Sequence, residues 1–373
     1  MNRHTVCATF VATIGATLVL AGTSALAGKP APPPSSDPCA ATSPAYSTNW
    51  AGFPAYAYTV FDSKAFTTQV RVASRNGICS KRIGPILSGR SGNTSFARSP
   101  DVGWYVIAFA GPGQAMLAKF TPSDPLATTT YIPSTFVSFR SDLGGTFDLS
   151  PDGTQLAYER SQTYGTNELF VASLNDLNGV NDILVQSLNN TDSSYVWWAP
   201  WGRIYYTETN LVTGKRLRSV DPLLGGSQTP LTVLQMGAND PLVVNKLFGF
   251  AQISGGYVSD SSGLAPYIVF QGNYITGVKA GGSSGSWCAA AYAINANTKA
   301  FLIGSIDSPS PINGFYPSVT DRGTVLFEKS TAPTSGSSCT RTGYVGETAV
   351  ATGYMPSISG QAPGSWPAAL KTP

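Results

Sequence analysis

Histidine is almost missing: the 373 residues include 1 His, His4, close to the N-terminus. Arg3 and His4 make a short basic start, residues 6–20 are apolar, and Ala25-Leu26-Ala27 precedes Gly28. Together these read as a secretory signal peptide, residues 1–27, cleaved after Ala27. Cleavage removes the imidazole, so Ser-His-Asp and Cys-His catalysis, His-ligated zinc and histidine pH switches are excluded by residue type. Charge is scarce too, with 12% Asp, Glu, Lys and Arg against about 25% in an ordinary soluble domain. The formal net charge is +3 and no Lys/Arg run occurs, so the footprint of a nucleic-acid binder is lacking. Beyond the leader no apolar run approaches the ~20 residues of a spanning helix, so no membrane span is expected after cleavage.

Turn formers and strand formers are plentiful. The chain holds 39 Gly, 27 Pro, 17 Tyr and 17 Phe, with 42% hydrophobic residues, a composition for strands joined by turns rather than a helical bundle. Cys39, Cys79, Cys288 and Cys339 follow the leader. An even number in an exported chain reads as two disulfides, and no Cys-x-x-Cys spacing points to redox or zinc chemistry. Three pairings exist. Cys39–Cys79 with Cys288–Cys339 is favoured, each closing about 40–50 residues and worth about 4 kcal/mol in the chain-entropy model; a Cys39–Cys339 clasp between the ends is the alternative. Residues 28–43, rich in proline, read as a linker or extended mature N-terminus.

From about residue 44 one phrase recurs: a turn ending in Gly, an aromatic or β-branched run, polar residues, and a second apolar run. Its clearest copy is Phe147-Asp148-Leu149-Ser150-Pro151-Asp152-Gly153-Thr154-Gln155-Leu156-Ala157-Tyr158, followed by Glu168-Leu169-Phe170-Val171-Ala172-Ser173-Leu174. Weaker copies centre on Asp101 and Gly103, Gly202, Gly263, Asp321 and Gly323, with a degraded one at Gly52. The interval is about 50–60 residues, and a unit that small must stack on its neighbours to bury both faces. Six four-stranded sheets around an axis leave only short edges. The expectation is an all-β fold, a six-bladed β-propeller of four-stranded antiparallel blades over 44–360, with a C-terminal tail at 361–373. Ring closure is expected to need a strand from one terminus in a blade built by the other.

On these residues the chain resembles the TolB-type, WD-like propeller repeat. The resemblance covers about residues 44–360. Blade four has Trp201 where the phrase has its acid, and the first copy lacks both Pro and Asp. It implies a propeller and export, to periplasm or medium. The family's N-terminal α/β domain is not expected here, where only the Pro-rich segment precedes the propeller.

The corner residues Asp101, Gly103, Asp152, Gly153, Gly202, Gly263, Asp321 and Gly323 are assigned to scaffold, because Asp can accept local N–H bonds and Gly can take positive φ. A calcium site at Asp152 or Asp321 is the sharper alternative, but no Asp-x-Asp-x-Asp run supplies further oxygens. Away from the corners, the candidate ligand or partner residues are Arg160, Tyr164, Glu208, Asn273, Tyr274 and Lys329, with Trp197 on the approach to an inner strand; the bland reading of the aromatics is blade packing. No cofactor is expected: the Gly/Ser insertions at 280–286 and 334–338 lack a Gly-Lys-Ser/Thr ending.

The functional expectation is a monomeric, non-enzymatic exported scaffold that binds an envelope protein or peptide. A glycan-binding module is the first alternative. A glycoside hydrolase or lyase using Glu208 and Glu328 is the second, and Thr320-Asp321-Arg322-Gly323-Thr324 partly resembles a sialidase corner.

Overall fold

The computed structural model describes residues 37–90, 92–99, 104–111, 114–121, 131–132, 134–139, 143–161, 167–176, 181–188, 195–210, 214–235, 247–260, 263–276, 286–295, 301–302, 314–331, 340–349 and 365–371. After a four-residue helix, α1 (Tyr46–Asn49), the described elements are almost all strands. Blade one begins with β1 (Tyr56–Asp62), β2 (Thr67–Ala73) and β3 (Ser80–Ser88). In β2 every second side chain, Thr68, Val70 and Val72, is buried, the period of a pleated strand with one face in a core. Blade two comprises β4 (Gly92–Arg98), β5 (Tyr105–Gly111), β6 (Gln114–Phe120) and, beyond the two-residue β7 (Tyr131–Ile132), β8 (Ser134–Phe139). Blade three comprises β9 (Leu143–Leu149), β10 (Gln155–Ser161), β11 (Asn167–Ser173) and β12 (Ile183–Leu188).

Blade four is β13 (Val196–Trp198), β14 (Ile204–Asn210), β15 (Gly214–Val220) and β16 (Leu231–Gln235), with a 3₁₀ segment, Pro222–Ser227, before β16. Blade five is β17 (Leu247–Asp260), β18 (Gly263–Thr276), β19 (Ser286–Asn295) and β20 (Phe301–Leu302). Blade six shows β21 (Gly314–Val319), β22 (Thr324–Thr331) and β23 (Thr340–Ala349) among the described residues. The last strand, β24 (Ser365–Lys371), returns to blade one.

That return closes the ring. β24 pairs antiparallel with β1 (Tyr56↔Ala369, Ala57↔Ala368) and touches β4 in parallel (Leu370↔Phe96, Lys371↔Ala97). The first strands of successive blades, β4, β9, β13, β17 and β21, contact one another in order, and β24 bridges β21 to β4. The fold is a six-bladed all-β propeller. Residues 365–371, placed by the sequence in a tail, are therefore the innermost strand of blade one; they lack the Gly corner that marks the other inner strands, but Ala368 and Ala369 are buried.

Each blade interface has its own core. Val70, Ile83, Phe96 and Phe120 fill the space between blades one and two; Ala108, Phe147, Tyr158 and Phe170 lie between two and three; Val171, Trp198 and Tyr206 between three and four. Val258, Tyr267 and Val325 join five to six, and Tyr58, Leu326 and Val345 join six to one. Between blades four and five the packing is aromatic. Trp197 lies 5.1 Å from Tyr205 and 5.4 Å from Trp201, ring centre to ring centre. A Cβ at Gly255 of β17 would fall 2.5 Å from Cη2 of Trp197, so only glycine admits that indole. Each such large side chain contributes about 1.5–3 kcal/mol by leaving water.

The recurrent corners join the first strand of a blade to its second. Gly153 (φ 64°), Gly202 (φ 85°) and Gly323 (φ 71°) are all left-handed. In the Ser150–Gly153 corner, Asp152 Oδ1 accepts from Thr154 N (3.1 Å), Thr154 Oγ1 (2.9 Å) and Ser150 Oγ (2.5 Å). Burial pushes the Asp152 carboxyl up, but the bonds from Ser150 and Thr154 outweigh it and hold the group below the ordinary carboxylate range. Asp321 acts differently from the corner acid expected: it forms an ion pair with Arg75 of the β2–β3 turn at 2.8 Å, tying blade six to blade one. Thr320 closes that corner instead, its Oγ1 accepting from Thr324 N. Gly263 opens β18, paired with Asp260. Asp101 and Gly103 lie outside the described residues.

Of the cysteines, Cys39 and Cys79 form a disulfide. Trp50 Nε1 also donates to Cys39 O (3.1 Å) and Asn49 Nδ2 to Pro38 O (2.8 Å), so residues 38–43, at the end of the expected linker, are fastened to blade one. The other pairing cannot be followed, since Cys339 lies outside the described residues, as does the side chain of Cys288.

Candidate functional site

The inner strands enclose a cavity of about 70 Å³, lined on several blades by polar side chains that include Ser95, Thr146, Ser254 and Ser318. Within three inner strands the backbone departs from regular pairing. Asn93 (φ 45°), Gln252 (φ 50°) and Tyr316 (φ 57°) are left-handed without being glycine. Each sits at a register break, between Gly92 and Thr94, Ala251 and Ile253, and Phe315 and Ser318. An extra residue in the inner strand is a β-bulge, which re-aims its side chain. All three bulges line the cavity, at the end away from the Gly corners. Left-handed backbone at non-glycine residues costs about 1–3 kcal/mol each and gathers at functional sites. The re-aimed groups link blades: Gln252 Oε1 accepts from Tyr316 N (3.2 Å), Asn93 Nδ2 donates to Phe147 O (3.4 Å), and Ser318 Oγ accepts from Ala369 N (2.8 Å).

At the corner end the cavity meets a buried ion pair. Lys371 Nζ donates to Asp148 Oδ2, to Leu149 O (2.9 Å) and to Trp198 O (3.1 Å). Asp148 also accepts from Ser95 Oγ (2.6 Å) and Trp198 N (2.6 Å). One lysine from blade one thus holds blades three and four, while Ser95 brings in blade two. Burial pulls the Lys371 ammonium below the usual lysine range, and Asp148 pushes it back up. The carboxylate that reaches the cavity therefore has its oxygens engaged by an ammonium, a hydroxyl and an amide N–H.

Of the residues singled out from sequence as ligand or partner contacts, Trp197 is the one found among the described lining of this cavity. Arg160, Glu208 and Lys329 occupy matching positions near the ends of β10, β14 and β22. Arg160 lies over the Phe170 ring (4.1 Å) and reaches Asp182 (3.2 Å), fixing the interior of blade three. Glu208 pairs with Arg218 at 3.5 Å, and burial lowers the Lys329 ammonium. Trp197 is 2% exposed, too enclosed to stack on a sugar. Asn273 and Tyr274 pair with Gly249 and Leu247 of β17; their side chains and the whole of Tyr164 lie outside the described residues. Glu328 is 1% exposed in β22 and, like Glu208, does not line the cavity, so the two acids of a hydrolase reading do not meet there.

No protein-family model matches the chain, and no curated protein matches its sequence. Solved structures do. TolB from Acinetobacter baumannii superposes with a TM-score of 0.51 at 14% identity, over 85% of this chain and 67% of that one. The fold is similar to that of TolB. Putative TolB from Agrobacterium tumefaciens aligns at 0.46 and 13% identity (82% and 88% covered), and the Hadza microbial sialidase Hz136 at 0.38 and 13% (76% and 57%). Among the described residues no helix is long and apolar enough to cross a membrane.

Sequence reasoning passed over Asp148, Lys371 and the bulged residues Asn93 and Gln252, and saw in Phe315-Tyr316 an approach to an inner strand without its bulge. Asp148 stood inside the clearest repeat phrase, two residues before the corner, and Lys371 closes the apolar run Trp366-Pro367-Ala368-Ala369-Leu370. A charge at the end of an apolar run was the available signal for Lys371, and an acid flanked by Phe147 and Leu149 the signal for Asp148.

Proposed function

We propose that this chain is an exported, non-enzymatic propeller that acts in the cell envelope, periplasmic or extracellular, by binding a protein or peptide segment at the bulged end of its channel. The observation that carries the reading is the convergence of Asn93, Gln252 and Tyr316, three left-handed non-glycine residues, on one polar cavity. Backbone strain kept at three blades around one cavity is expected where a ligand is met, not where strands merely pack. Both oxygens of Asp148 are engaged by Lys371, Ser95 and Trp198, which favours a structural part for this acid and binding over catalysis. The likeness to TolB supports the propeller scaffold on which such a site would be built.

Panning a random peptide library against the wild-type protein and Ser254→Trp tests this. The indole fills the cavity that Ser254 lines. The wild type is expected to enrich peptides whose binding falls at least tenfold on the variant, with the melting temperature little changed. Failure to enrich, or equal retention by both proteins, overturns the channel as the site.

Glycan binding is a second reading, favoured by a different place. Trp201 and Tyr257 sit 5.5 Å apart on the corner side, with Tyr257 40% exposed. Array binding abolished by Trp201→Ala would support it, and a blank array would remove it.

A further inference from the structure

At the corner end, between blades four and five, a cation stands without a counter-ion. Arg203 follows Gly202 and is half-buried. Its Nε donates to Ser219 Oγ (3.2 Å), and none of the ion pairs among the described residues includes it. Asp221, just beyond β15, turns its carboxylate to Leu223 N instead (2.9 Å). Trp197, Tyr205, Ser219 and Leu231 stand opposite one another across the four strands of blade four, so their side chains share one face, the face on which Trp197 meets Gly255 of blade five. By reaching Ser219, Arg203 lies on that face next to Tyr205. Burial raises the Tyr205 phenol above the ordinary tyrosine range, opposed by the bond from Trp201 and the charge of Arg203. Trp201 Nε1 donates to Tyr205 OH (2.9 Å), and Tyr257 meets the Trp201 ring at 5.5 Å. Tyr257 and Leu231 are 40% and 57% exposed, so the arginine has open apolar surface close by.

We propose that this corner-side face takes an acidic sugar, a glycan unit carrying one carboxylate, with Arg203 on the carboxylate and Tyr257 and Trp201 against the ring; this rests on the glycan reading above and deepens it. With Nε engaged by Ser219, the two Nη groups of Arg203 remain, a planar fork that matches the two oxygens of a carboxylate. One cation suits one charge. An aromatic ring offers a broad apolar face, which the C–H side of a pyranose covers. An acidic side chain of a peptide brings the charge without such a surface.

The test is an array of oligogalacturonates, oligoglucuronates and sialylated lactose, each printed beside its neutral methyl ester, with Glu-containing peptides alongside. It is probed with the folded wild type, Arg203→Gln, Tyr257→Ala and Trp201→Ala. The wild type is expected to bind one or more of the acids about tenfold to a hundredfold more tightly than the matching ester, the worth of a charge-assisted hydrogen bond, and the preference to fall as salt rises. Arg203→Gln is expected to bring the acid down to the level of its ester while leaving the ester unchanged, a difference that misfolding does not produce. Tyr257→Ala is expected to weaken acid and ester alike. Equal binding of acid and ester, or acid binding indifferent to Arg203→Gln, overturns the inference; where Trp201→Ala still abolishes that binding, the glycan reading stands. Retention of the acidic peptides alone overturns the inference, and a blank array removes it together with the glycan reading.

Discussion

At the scale of single residues, the corner aspartate shows how a turn is held shut. Asp152 accepts three bonds from Ser150 and Thr154, and they keep its carboxyl below the ordinary range despite burial. A carboxyl with a lower pKa in the folded state stabilises that state fully above its unfolded value, near 3.9. The contribution is lost as pH falls through the folded value. Asp152→Ala is expected to cost about 1–2 kcal/mol at neutral pH, and the gap between variant and wild type to shrink below about pH 3.9; urea denaturation at two pH values measures both. This corner was legible because positive φ restricts residue type, so Gly153, Gly202 and Gly323 punctuate the sequence. The bulges were not legible, because Gln252 and Tyr316 carry no such signature and only the surrounding blades force them left-handed. Arg160 misled for a related reason: an isolated arginine reads as a surface charge, whereas here Phe170 and Asp182 hold it.

Among elements, β24 stands apart. It is seven residues long, has no repeat phrase, and still supplies an inner strand and the cation that links Asp148, Leu149 and Trp198. Only the general need to close a ring announced it. Lys371→Met leaves the Asp148 carboxylate buried and uncompensated, and is expected to destabilise the propeller by about 3–5 kcal/mol. Adding Asp148→Asn removes the stranded charge and is expected to recover a large part of that loss. The coupling shows in a double-mutant cycle by denaturant unfolding; losses that simply add would mean the two side chains do not act together.

For the whole molecule, the number of blades could be read because each interface needs its own apolar filling and a glycine recurs at the corners, as at Gly153, Gly202 and Gly323, so one pattern is written repeatedly. The cavity could not be read that way, being made of single residues from strands far apart in sequence. The described disulfide, with a sequence separation of 40, anchors the N-terminal segment to the ring. Replacing Cys39 and Cys79 together with Ser is expected to cost about 4 kcal/mol, seen as a fall in Tm of about 5–10 °C by calorimetry.

The order of synthesis gives β24 one more consequence. A nascent chain emerges N-terminus first, at about 5–20 residues per second, so blade one waits with β1 bare along one side while five further blades are made. For that interval β1 and β4 present open edges of the kind that recruit foreign strands. A ribosome stalled shortly ahead of Ser365 would release a nearly finished but unsealed toroid, and such fragments should burden chaperones more heavily than the few missing residues suggest.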